Sequence, residues 1–449
     1  MIVNSTHNDV SRKINVRAVT ANAMIAGLFV AGILFLHYYQ PWIYMGLILE
    51  DFWGEYATFV CYMLAFALLS WTVVKNKNMR KPGYLLLALT MFLIAMDEIS
   101  WAQRILNIET PHAISKLNYQ SELTIHNIID NAVPIEKLFF IAVAIWIFLL
   151  PLAVRIFKPL RTYILKWGIP LVGAAEYPFF LISLFFFIFS PVIKSDEVQE
   201  LLMAIAFVAF AQTIFFDALN RTGTPTKDIF KRKLALVLGA LLCTWFFVSM
   251  FGITIPRQNA RLKGQLHWTA AISYPEAKLY RQAKELFEHI LARKYLIRKG
   301  TLIQYGILLC QSDNPKAEAL LKQALQKESE SEVKNPEDPE YNRNKGIIYK
   351  LFKMDAEAAA EFELSIEKDR NRLAKINRDS EKYWPAISMA KTGIAMENYD
   401  SAFESLEEAK KFAPGAIEKL TAQSWMDRIT DKNEMTHSQY LQILQYIYL

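Results

Sequence analysis

Seven stretches of the chain are apolar over about the length needed to cross a bilayer core, roughly 20 residues each. They cover 20–39, 54–74, 83–105, 136–154, 168–190, 200–219 and 234–255. The third is purely apolar only as far as Met96, so a spanning helix there has to continue through Asp97 and Glu98. Beyond Pro256 the pattern changes. Long apolar runs stop, and apolar residues alternate with charged ones in the manner of an amphipathic, water-soluble chain. The shift divides the sequence into a transmembrane bundle over 1–256 and a helical repeat domain over 264–449. The predicted fold class is all-α: a seven-helix transmembrane bundle followed by an α-solenoid of helical hairpins.

The second half contains spaced small and large residues that read as repeats. Gly346 and Tyr349 precede Ala358 and Phe362. Tyr399-Asp400-Ser401-Ala402 is followed by Leu406, Ala409 and Pro414, and earlier copies are Ala283 with Phe287 and Ala317 with Leu321 and Ala324. Small residues let two helices of a hairpin approach, and the bulky residue fills the gap to the next hairpin. Over about 265–430 this pattern resembles the tetratricopeptide repeat family, with longer intervals where polar insertions fall around 326–340 and 369–381. The resemblance implies a concave face that binds a protein or peptide partner, and no catalysis.

Charge adds an orientation. Lys and Arg fall sixteen to seven in favour of the side holding the N-terminal tail and the loops after the second, fourth and sixth runs. By the positive-inside bias this places the N-terminus in the cytoplasm and, with seven crossings, the repeat domain outside it, in a bacterial inner membrane. The net charge of +6 is thus a topology signal and not a nucleic-acid footprint. Arg12, Lys13 and Arg17 precede the first run, but no small-residue cleavage site follows, so that run reads as an anchor. The three cysteines, Cys61, Cys243 and Cys310, form no metal-binding spacing and imply no disulfide framework.

One set of polar groups is not explained by the membrane pattern. It comprises Glu50, Asp51 and Glu55 between the first two runs, Asp97, Glu98 and Arg104 at the end of the third, and Glu122 and His126 beyond it. Ionisable groups at bilayer depth cost about 2.5–3.5 kcal/mol each on insertion scales, so they are usually paired and often functional. On a continuous helix Asp97, Trp101 and Arg104 would share a face. Asp97, Glu98 and His126 are the candidate ligands of a divalent metal, and the set as a whole is the candidate catalytic cluster. A structural lock between Arg104 and the carboxylates is the competing reading. His37, beside Tyr38, Tyr39 and Trp42, reads as part of an aromatic belt, and Glu176 and Asp217 as side chains that snorkel to water.

The run Asp97-Glu98-Ile99-Ser100-Trp101-Ala102-Gln103-Arg104, with Asn118, Gln120, Glu122, His126 and Asn127, resembles a pattern of uncharacterised multi-pass bacterial membrane proteins. A fainter likeness is to membrane ceramidase-type hydrolases, whose C-terminal histidine pair has no counterpart here. The expected function is a membrane-anchored repeat protein that recruits or organises partner proteins at the bacterial envelope. The alternative is an intramembrane metal-assisted hydrolase or transferase acting on a lipid or lipid-linked substrate at the outer leaflet. The expected partners are the lipid bilayer and a protein or peptide, not nucleic acid.

Overall fold

The computed structural model describes residues 16–49, 53–76, 79, 81–103, 135–221, 239, 244, 256–293, 296–430 and 436–448. Among these residues every regular element is helical. The chain divides into two compact units, Met1–Leu262 and Lys263–Leu449.

In the first unit the helices are α1 (Val16–Tyr39), α2 (Pro41–Ile48), α3 (Trp53–Lys75), α4 (Pro82–Glu98), α5 (Ile135–Ala144), α6 (Leu150–Ile156), α7 (Lys158–Trp167), α8 (Tyr177–Phe189) and α9 (Ser195–Arg221). A π-helical turn, Ile145–Leu149, joins α5 to α6. Four segments are long and apolar enough to cross a membrane: Val16–Tyr39, Trp53–Lys75, Lys137–Ile156 and Ser195–Leu219. They coincide with the first, second, fourth and sixth apolar runs of the sequence. Helix α3 is central, packing on both α4 and α9, while α8 packs on α9 and α1. The shared core is aromatic and aliphatic, with Tyr62, Leu69, Met91, Phe140, Phe180 and Phe207 almost fully buried.

Two of the expected spans differ from their prediction. The third does not run as one helix to Arg104. Helix α4 ends at Glu98, and Ser100 and Trp101 follow with φ of 48° and 54°. Such positive φ values are uncommon outside glycine and break the helical path. The expected common face of Asp97, Trp101 and Arg104 is therefore not formed, and Arg104 itself lies outside the described residues. The fifth is not continuous either. Gly168 closes α7 in a left-handed cap, and α8 starts only at Tyr177. Pro170 cannot donate a backbone hydrogen bond, and Pro178 sits in the first turn of α8, where proline is favoured. The stretch between them is held by polar ties instead: Asn22 Nδ2 donates to the Ala175 carbonyl at 2.7 Å, and Trp146 Nε1 to the Pro170 carbonyl at 2.9 Å. The seventh run, 234–255, falls almost wholly outside the described residues.

The second unit is a stack of helical hairpins. Its elements are α10 (Pro256–Trp268), which carries the chain in from the first unit, a π-helical turn Thr269–Ser273, α11 (Tyr274–Glu276), α12 (Tyr280–Ala292), α13 (Thr301–Gln311), α14 (Lys316–Lys334), α15 (Pro339–Leu351), α16 (Asp355–Lys375), α17 (Asp379–Ala395), α18 (Tyr399–Phe412), α19 (Ala416–Thr430) and α20 (His437–Ile447). Hairpins α13/α14, α15/α16 and α17/α18 follow in order, and each packs on the next through α14/α15 and α16/α17. Their seams match small residues with large ones. A β-carbon on Gly346 would come within 2.6 Å of the Phe362 ring, and one on Gly306 would overlap Leu321. Ala283, Phe287, Leu321, Ala358, Phe362, Ala402, Leu406 and Ala409 are all buried in these seams. An ionic network crosses the α14–α16 layers: Lys345 Nζ lies 2.8 Å from Glu332, and Lys368 Nζ reaches the same carboxylate at 3.1 Å.

Candidate functional site

Acidic residues open α3 and α9 and close α4, and α3 packs on both of the other two. Glu55 stands in the first turn of α3, and Asp97 and Glu98 close α4. The left-handed residues Ser100 and Trp101 turn the chain back, leaving Ser100 and Gln103 buried. Helix α9 contributes Glu197, Gln199 and Glu200 from its first two turns. Tyr62, about two and a half turns into α3 and almost fully buried, lies within electrostatic reach of both Glu98 and Glu200. Gln199 is buried, and its carbonyl accepts from Ser183 Oγ of α8 at 2.8 Å. Lys194 stands 3.5 Å from Glu197 at the rim.

Of the sequence-derived candidates, Glu55, Asp97 and Glu98 are described and belong to this set. Glu50, Asp51, Arg104, Glu122 and His126 lie outside the described residues. Among the described residues no group of three or more His, Cys, Asp or Glu side chains is placed to hold a metal ion. Two carboxylates from different helices, Glu98 and Glu200, thus act on one buried phenol, a grouping suited to accepting hydrogen bonds or attracting a cationic group. Glu197 and Gln199 precede the sixth apolar run, 200–219, and Glu200 is its first residue, so hydropathy alone does not set them apart. Their signal was position: acidic residues opening an antiparallel helix stand level with those closing α4.

Two residues read as interfacial are buried instead. His37 is 1% exposed, packs edge-on against Tyr38 and Tyr44, and accepts from the Ile193 backbone N–H at 3.2 Å. Tyr44 Oη donates to the Ile193 carbonyl at 2.5 Å, so α1 and α2 together hold the turn before α9. Glu176 does not snorkel. It is 2% exposed, and its Oε1 accepts from Thr213 Oγ1 of α9 at 2.6 Å. Gly173 leaves the room for it: a β-carbon there would come within 2.7 Å of Glu176 Oε2. Tyr177 Oη donates to the Ile147 carbonyl inside the π-helical turn at 3.0 Å, which accommodates one of the acceptors such a turn frees.

The second unit has its own buried charges. Asp369 of α16 is fully buried, and burial pushes its carboxyl up to about 6 against the opposing pull of Ser388 and Arg343. Arg343 Nη1 donates to Ser388 Oγ at 2.9 Å. Burial lowers the Lys391 ammonium to about 8. The chain matches no family model, no curated protein and no solved structure.

Proposed function

We propose that the protein is a membrane-anchored recruiter: the first unit holds it in the bilayer, and the hairpin array of the second unit, a solenoid of tetratricopeptide type, docks a protein partner at the bacterial envelope. The observation that carries this reading is the pairing of two differently surfaced units in one chain. In the first, Met24, Ile25 and Leu28 of α1, Leu85, Leu86 and Leu89 of α4, and Ile188 and Phe189 of α8 present broad apolar faces outward, as lipid contact requires. In the second, hairpins stack around their own seams, and the surface is largely charged. Seven crossings, a cytoplasmic N-terminus and an extracytoplasmic array remain the proposed arrangement, supported by the loop-charge asymmetry.

The test is site-specific photo-crosslinking in intact cells. A photoreactive residue replaces Trp384, which is 66% exposed on α17, and in a second variant replaces Leu420 on α19, which is 63% exposed. The expected result is a discrete adduct whose mass is the same at both sites and which an excess of the unlabelled 263–449 unit competes away. No adduct at either site, combined with turnover of a labelled lipid by the purified protein that Glu98→Gln abolishes, would replace recruitment by the metal-assisted hydrolase or transferase reading.

A further inference from the structure

One face of the array, running from α13 to α17, is already covered. Helix α20 does not extend the stack of neighbouring hairpins. It packs instead on α13, on the Thr269–Ser273 turn and on α17, elements from both ends of the unit. Gln445 Nε2 donates to the Gln304 carbonyl at 2.9 Å. Tyr440 Oη donates to the Ala395 carbonyl at 2.7 Å, and Lys391 Nζ donates to the Ile447 carbonyl at 2.8 Å. Gln442 and Tyr446 both donate to Glu276, at 3.0 and 2.6 Å. Lys350 of α15 covers the Tyr440 ring, and Arg428 covers that of Tyr446. Gly300, with φ of 78°, makes room for the Tyr448 ring where a β-carbon would overlap it.

Helix α20 has the form of a ligand. Tyr440, Leu441, Leu444, Ile447 and Tyr448 recur at i, i+1, i+4, i+7 and i+8, and Ile443 and Tyr446 widen this apolar stripe over most of the helix's circumference. Its start is satisfied without help from the array: Thr436 and Gln439 form a complete capping box. The fit to the groove is incomplete. Gln304 Nε2, Gln445 Oε1 and the Tyr448 hydroxyl are buried without a hydrogen-bond partner, each an uncompensated desolvation that a better-matched helix would relieve.

We propose that this face is a helix-binding groove and that α20 is its tethered resident, which holds the groove closed until an amphipathic helix of matching pattern from a partner protein replaces it. The inference rests on the recruiter reading for its purpose, and on the α20 contacts for its mechanism. Tethering sets the threshold. A short linker gives α20 an effective concentration of about 1 mM, so a free helix of equal intrinsic affinity at ~1 μM displaces only about one molecule in a thousand. A productive partner must therefore bind more tightly than α20 or engage a second surface.

The experiment places a protease site within 431–435 of the full-length protein in nanodiscs. A fluorescent peptide of residues 436–448 is then titrated by anisotropy. The cut protein should bind it saturably, and the uncut protein at least about tenfold more weakly. A Leu444→Ala peptide should lose that binding. Hydrogen exchange on the uncut protein supplies a second readout: α20 should open as a unit faster than α15 and α17. A cut α20 that never exchanges, or α20 protection equal to that of α17, would make it a permanent strut and overturn the proposal. Collapse of the array on cutting would overturn it too. None of these readouts requires a natural partner, so failure here leaves recruitment through another face intact. Absence of a crosslinked partner likewise leaves peptide exchange intact.

Discussion

Replacing Asp369 by Asn should stabilise the second unit near neutral pH and leave it unchanged in acid. Asp369 is 0% exposed and sits on α16 against Arg343 and Ser388, with its carboxyl raised from 3.8 to about 6 chiefly by burial. The sign follows from proton binding. Between about pH 4 and 6 the folded carboxyl holds its proton while the unfolded one has lost it, so stability falls as pH rises through that window. Above pH 6 the full penalty is present, and at ~1.4 kcal/mol per pH unit it amounts to about 3 kcal/mol. Asparagine has nearly the same shape and no charge to desolvate. Urea unfolding of residues 263–449, followed by circular dichroism, should therefore give the Asp369→Asn unit about 2–3 kcal/mol more stability than the parent at pH 7.5, and no difference near pH 4. The opposing term is Arg343, which loses a nearby counter-charge. If that contribution dominates, Asp369→Asn destabilises at pH 7.5, and the assignment of the carboxyl as a buried liability is wrong. An equal shift at both pH values would refute the titration argument itself.

Residues 263–449 expressed alone should be soluble and helical, since each hairpin buries its apolar seam within the unit; a uniformly insoluble product would show that the seams need the first unit. Gly346→Ala sets a helix-propensity gain of about 1 kcal/mol against an overpacking cost of about 1–3 kcal/mol. With the Phe362 ring 2.6 Å from the new β-carbon the cost should win, and adding Phe362→Leu should restore stability. Lys391, lowered to about 8 by burial, binds its proton less tightly folded than unfolded, so stability should rise with pH from about 8 to 10 by about 2–3 kcal/mol. The gain should reverse above pH 10, because burial raises the tyrosines Tyr440 and Tyr448 and their unfolded forms ionise first. A flat unfolding free energy across pH 8–10 would refute the Lys391 assignment.

The sequence was most legible where hydropathy and length act together. The apolar runs at 20–39, 54–74, 136–154 and 200–219 each coincide, to within a residue or a few, with a helical segment of spanning length. A hydropathy average is blind to local breaks, and two of the expected spans contain one. Gly168, Pro170 and Gly173 sit in an apolar stretch whose composition looks continuous, yet its first third is not helical. At Ser100 and Trp101 no residue type announces positive φ, and the break coincides with the burial of Ser100 and Gln103. The acidic cluster was partly visible, because Glu55, Asp97 and Glu98 flank apolar runs. Its share from α9 was hidden, since only packing shows that Glu200 stands level with Glu98. Asp369 and Arg343 were not singled out at all, because charged residues in a soluble helix look like surface until a neighbouring hairpin covers them. Helix α20 was likewise unreadable as a groove occupant, for nothing in its own sequence names the elements it crosses.

The contacts of α20 also bear on the order in which the second unit forms. Hairpin seams such as Gly346 with Phe362 join residues close in sequence, so their closure is fast. The bonds of α20 close far longer loops: 141 residues separate Gln445 from Gln304, and 170 separate Tyr446 from Glu276. The stack should therefore assemble first and acquire its last helix in a separate, later phase. During that interval the α20 of a second molecule is as good a fit as the protein's own. Refolding at high protein concentration should then yield an exchanged dimer, and refolding at low concentration a closed monomer.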